Sequence, residues 1–133
     1  MIKKDILTRQ DIQKIVNSFY QKVQFDDLLG PIFDHFDIDW SLHLTKMYDF
    51  WDSIIFTSGL YKGNPLAAHI IVTDQIKLSE NHFEKWLEIF NETIDEHYQG
   101  EKAELIKKRA GLMSKFMFSK IKNYNEENII YAK

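Results

Sequence analysis

Cysteine is absent from the 133 residues, which rules out a disulfide, a thiolate zinc site, an iron–sulfur cluster and a covalently attached c-type haem. Any metal must be held by His, Asp, Glu or Tyr. No apolar run reaches the ~20 residues of a membrane span, and the opening "MIKKDILTRQ" lacks the apolar core of a signal peptide. The expectation is a cytoplasmic protein without membrane contact. An excess of positive charge is missing too. A formal net charge of −3 gives no broad attraction for phosphate backbones, so nucleic acid is not an expected partner. Lys115, Lys120 and Lys122 are read as complements to a helix C-terminal dipole.

Catalytic signatures are equally scarce. There is no H-E-x-x-H, no paired Glu-x-x-His of a di-iron bundle, no G-x-S-x-G elbow, no Walker loop and no Rossmann fingerprint. Hydrolase, nucleotidase and dehydrogenase chemistry is therefore unsupported. The acidic stretch "DHFDID" lacks the glycine and distal glutamate of a calcium loop and reads as a connector.

What the chain does hold is apolar and aromatic. Hydrophobic residues make up 44% and aromatics 14%, which suits a bulky core or a pocket for a large flat ligand. Length and the absence of linkers or repeats predict one domain spanning 1–133, with a core over about 9–123 and a fraying tail over 124–133.

Periodicity makes that domain all-α. Thr8 with Asp11 resembles a capping box, and Ile12, Ile15, Val16, Phe19, Tyr20 and Val23 then follow at helical spacing. Asp39 caps a second long helix whose single face carries Trp40, His43, Leu44, Met47, Phe50, Trp51, Ile54 and Ile55. A third runs from Ser79 with Phe83, Trp86, Leu87, Phe90 and Ile94 inward, and a fourth covers about 101–123. Between Gly59 and Ser79 only "NPLAAHI" carries a helix signal, with Asn64 as cap and Pro65 at the first helical position. Connections in helical domains are usually shorter, and long ones are usually functional or disordered.

His69 sits in that connection. Spacing alone reads it as a surface loop histidine, His43 as a core-facing histidine, and Tyr20 and Trp86 as core rings. Together they are more specific. Three long helices place hydrogen-bonding groups among apolar neighbours while a separate segment offers one imidazole, a division that suits a haem.

The stretches "SFYQKV", "LLGPIF", "DWSLHL", "MYDFW", "YKGNPLAAH" and "HFEKWLEIF" occur in an order that resembles the truncated haemoglobins of group III, over about residues 11–98. One departure is visible: many relatives have a proline shortly before the "HF" helix, where this chain reads "DQIKLSENHF". The resemblance implies a truncated globin fold, two helices on two around haem b, with His69 as proximal iron ligand and Tyr20, His43 and Trp86 on the distal side. Tyr20 and Trp86 are then the expected donors to a bound ligand, while His43 donates, gates or itself binds iron. Phe33, Met47, Phe50 and Trp51 are expected on the haem or its walls, and Lys46 and Lys62 at the propionates. The function implied is binding of dioxygen, nitric oxide or carbon monoxide by a monomer. The alternatives are a redox enzyme with peroxidase-like or nitric oxide dioxygenase-like activity fed by an external reductase, and a haem-free helical interaction module.

Overall fold

Thr8 and Asp11 open α1 (Arg9–Phe25). The Asp11 carboxylate accepts from the Leu7 and Thr8 amides at 2.8 and 3.0 Å. The computed structural model describes the backbone of residues 2–131 and the side chains of residues 2–128. Five more helices follow: α2 (Gly30–Phe36), α3 (Trp40–Phe56), α4 (Pro65–Gln75), α5 (Glu80–His97) and α6 (Glu101–Tyr131). Caps lie where side chains can supply them. Asp39 accepts from Leu42 N at 3.2 Å and Asn64 from Ala67 N at 3.1 Å, each satisfying a donor that the helix start leaves open.

Three expectations need correction. The first half of "DHFDID" is not connector, because Asp34, His35 and Phe36 complete α2. The helix signalled by "NPLAAHI" does not stop at Ile70 but runs on through Ile71, Val72 and Thr73 to Gln75, 11 residues in all. The tail expected over 124–133 does not begin at 124, since α6 continues to Tyr131 and Tyr124 and Asn125 are tied to other elements; residues 132 and 133 lie outside the described residues. Lys115, Lys120 and Lys122 therefore lie well inside α6, not at its C-terminal end, and Lys120 lies over the Phe116 ring at 5.6 Å.

The helices form two pairs, α1 with α3 and α5 with α6, joined through α1 against α5. This is the all-α, two-on-two arrangement expected. α6 also touches α3 and is the principal support of α4. The chain before α1 closes the open end. Ile6 is fully buried, Gln99 N donates to Lys4 O at 3.0 Å, and the Asp5 carboxylate accepts from Lys102 N and Ala103 N at 2.9 Å each. Asp5 thus caps α6 from across the sequence. Gly100 permits the approach: its φ is 145°, and a Cβ there would stand 2.5 Å from Asp5 Cγ.

Burial divides into two clusters. The larger joins α1, α3, α5 and α6 around Phe90, which stacks on Trp51 and Trp86 at ring separations of 4.7 and 5.3 Å and meets the edge of Phe19 at 5.4 Å. The smaller consists of Ile32, Leu78 and Ile121, with Phe36, Leu66, Ile70, Val72, Ile76 and Phe83 packed against it. α3 borders the first cluster and α4 the second. Large half-buried side chains, Met47, Phe50 and Ile54 on α3, Leu66 and Ile70 on α4, Phe83 and Trp86 on α5, remain incompletely covered by protein.

Candidate functional site

Two imidazoles mark the borders of the two clusters. His69 lies in the second turn of α4, and its ring Nδ1 is 2.7 Å from the carbonyl oxygen of Pro65. A carbonyl can only accept, so Nδ1 carries the proton and donates, leaving Nε2 with an unshared pair. Burial holds the ring below the usual imidazole range, opposed by the Pro65 hydrogen bond. A neutral imidazole with its tautomer set by a backbone carbonyl is the form a metal requires.

His43 lies one turn into α3. Its Nε2 is buried with no hydrogen-bond partner, an arrangement that costs free energy unless a ligand completes it. Burial lowers its proton affinity, and the nearby charges of Lys46 and His69 lower it further. Their helices, α3 and α4, share α6 as a neighbour.

Aromatic side chains hold His43 in place. Its ring meets Tyr20 edge-on at 4.9 Å, Trp40 at 5.8 Å and Phe33 at 6.0 Å. Phe33 and Trp40 stack at 5.4 Å, and both touch Tyr20. Burial alone keeps the Tyr20 hydroxyl well above the usual phenol range, so it remains a donor, and it has no acceptor among the described residues. Trp86 is joined to Tyr20 through Phe19, whose ring stands 4.9 Å from one and 5.5 Å from the other. Its indole is half-buried and stacked, and its N–H likewise has no acceptor among the described residues.

The structure brings Tyr20, Phe33 and His43 together, and carries Met47 and Phe50 along the same half-buried stripe of α3. Trp51 stands apart from that stripe: it is 3% exposed in the larger cluster, where it backs Trp86 at a ring separation of 6.4 Å. Lys46 is exposed one turn from His43, and Lys62 is exposed in the loop before α4 with no ion pair among the described residues. Trp40, Phe19, Leu66, Ile70 and Phe83 also border this region. Trp40 is readable from its spacing to His43, and Leu66 and Ile70 from the helix signal of "NPLAAHI". Tyr61, in the loop before α4, carries no such signal: its ring lies against Phe50 at 5.1 Å, folded over Gly63, where a Cβ would collide with its hydroxyl.

A haem fits these residues. It needs one imidazole with a bare Nε2, flat apolar walls, and polar groups confined to the opposite face. His69, the half-buried stripes of α3, α4 and α5, and the unpartnered Nε2 of His43 meet those demands. No group of three or more metal-ligating side chains exists among the described residues, so these residues suit a metal that arrives with most of its own ligands, as the iron of a haem does.

A family model described as bacterial-like globin matches residues 5–122. The group 3 truncated haemoglobin of Campylobacter jejuni is 32% identical over 117 residues, which cover 85% of this chain and 90% of that protein. The crystal structure of the group III truncated haemoglobin from Campylobacter jejuni superposes with a TM-score of 0.79 at 30% identity, covering 90% of this chain and 95% of that one.

Proposed function

The chain belongs to the bacterial-like globins, in the group III truncated branch, and on that footing we propose that its single domain holds haem b through His69 and binds a diatomic ligand on the His43 side. Membership makes it a haem-binding globin. The axial role of His69 rests on one observation above all, the 2.7 Å contact of Nδ1 with Pro65 O that leaves Nε2 able to coordinate.

Haem, when bound, supplies an iron that takes a diatomic ligand and shifts negative charge onto it. The protein's part is to hold the imidazole still, exclude water and direct donors at that charge. Pro65 O fixes the ring of His69, and the Tyr20 hydroxyl and Trp86 N–H are donors without a protein partner. A hydrogen bond to a charged acceptor contributes about 1.5–3 kcal/mol, so each donor slows ligand escape by about ten- to a hundredfold. Such retention suits sensing, storage or scavenging of dioxygen or nitric oxide better than delivery.

The unpartnered His43 Nε2 favours a second reading, in which it relays a proton during peroxide or nitric oxide turnover with electrons from an external reductase. Mixing the ferric protein with peroxide tests this. Consumption that is slow in the wild type and unchanged in His43→Leu argues against turnover.

The primary test is spectroscopic. Wild type supplied with haem should develop a strong Soret band, and His69→Gly should lose its ferrous five-coordinate spectrum and regain it with added imidazole. An unchanged spectrum in His69→Gly sinks the assignment.

A further inference from the structure

α4 carries His69 but has little of its own to hold it. It is 11 residues long, it follows a segment without secondary structure, and its principal helix neighbour is α6. Leu66, Ile70, Val72 and Ile76 pack on the smaller cluster, but apolar burial is non-directional and sets neither the rotation nor the axial position of a short helix sharply. Hydrogen bonds do.

Three consecutive residues at the C-terminal end of α4 are each tied to another element. Thr73 Oγ1 donates to Asn125 Oδ1 at 2.9 Å, the Tyr124 hydroxyl donates to Asp74 Oδ1 at 2.6 Å, and His35 Nε2 meets Gln75 Oε1 at 2.9 Å. The first belongs to a closed ring. Leu78 N donates to Thr73 Oγ1 at 3.0 Å, and Asn125 Nδ2 donates to Leu78 O at 3.1 Å. Thr73 and Leu78 are each 6% exposed, so the ring satisfies polar groups that water does not reach freely. Slipping α4 by one residue would break both bonds that Thr73 makes in it.

We infer that Thr73 and Asn125 are positioning residues for His69, forming a latch by which the far end of α6 sets where α4 presents its imidazole. The inference rests on the reading of His69 as the axial ligand. Thr73 stands one helical turn beyond His69, so a shift of the latched end is passed directly to the ring. Asn125 and Tyr124 lie just beyond residues 5–122 that the family model matches.

The test uses the haem-loaded full chain with Thr73→Val, which keeps the shape and removes the hydroxyl, and Thr73→Ser, which restores it. Two quantities are read: the iron–histidine stretching band of the ferrous protein by resonance Raman, and amide hydrogen exchange of residues 66–75. Val should shift or broaden the band and speed exchange by about tenfold, the effect of one lost buried hydrogen bond; Ser should restore both. A Val variant with the wild-type band and exchange overturns the inference, as does a Ser variant no better than Val. Should Thr73→Val fail to fold, Asn125→Ala reads the same pair of quantities. A wild type that takes up no haem defeats the assignment of His69 instead, so the two failures are distinct.

Discussion

At the scale of single residues, the site depends on groups that the fold leaves unsatisfied or bent. The Tyr20 hydroxyl has no partner among the described residues, so Tyr20→Phe should leave the unfolding midpoint within about 0.5 kcal/mol of wild type while raising the ligand off-rate about ten- to a hundredfold. Flash photolysis and chemical denaturation read the two quantities separately. Thr57 is a different case. It ends α3 in the left-handed region with φ 57°, where a β-branched side chain is strained. Thr57→Gly should raise stability by about 0.5–1 kcal/mol in urea unfolding. A loss would mean that the methyl or hydroxyl contributes more than the strain. His69 shows why the sequence alone under-reads such positions. Its place in an over-long connection marks it as odd, but nothing in its spacing shows that Pro65 O fixes its tautomer.

At the scale of elements, helices with a clear apolar stripe were legible and helices held by their surroundings were not. α1, α3 and α5 follow the 3.6-residue period and have capping residues at their starts. α4 is rich in β-branched residues, Ile70, Ile71, Val72 and Thr73, whose propensity argues for strand or loop; packing on α6 overrides it. The polar end of α6 reads as a tail because nothing local marks Asn125 as the partner of Thr73, 52 positions away. Asp5 was unreadable for the same reason. Its carboxylate replaces the local cap of α6, so Asp5→Ala should cost about 0.5–2 kcal/mol, visible as a lower midpoint in denaturant.

The same caps predict a pH dependence. Burial opposes ionisation of Asp5, but the amides of Lys102, Ile6 and Ala103 outweigh it and hold its proton affinity low; Asp11 is held low by Lys4, Leu7 and Tyr98 against a similar penalty. These contributions are present above the unfolded value of 3.8 and are lost as pH falls through the folded values. His82 acts earlier. Its Nδ1 accepts from Ser79 N at 3.0 Å at the start of α5, and burial lowers its proton affinity. The unfolded chain therefore binds the proton better, so stability should begin to fall as pH drops below the unfolded value of 6.5. His82→Gln, which retains an acceptor without titrating, should flatten that part of the unfolding-midpoint profile. An unchanged slope in His82→Gln would exclude this cap as its source.

At the scale of the whole molecule, the division into two apolar clusters governs how the protein responds to its cofactor. Phe90 binds α1, α3 and α5 together, and Phe90→Ala should cost about 3–5 kcal/mol of global stability with or without haem. Ile121 belongs to the smaller cluster beneath α4. Ile121→Ala should speed haem release to an acceptor globin out of proportion to its effect on the main core, and haem should raise the thermal midpoint of wild type more than that of this variant. Equal gains would mean that the clusters unfold as one. The fold class was legible because it follows from periodicity summed over long helices, whereas the gap between the clusters arises from which helices touch, and no local pattern records that.

The link between Thr73 and Asn125 also imposes an order on biosynthesis. The imidazole-bearing helix leaves the ribosome 52 residues ahead of the asparagine that fastens it. A nascent chain that has exposed His69 therefore still lacks the fastening, and the polar ring closes only once residue 125 has emerged. A product that stops short of residue 125 would leave the Thr73 hydroxyl without its acceptor and the Leu78 carbonyl without its donor.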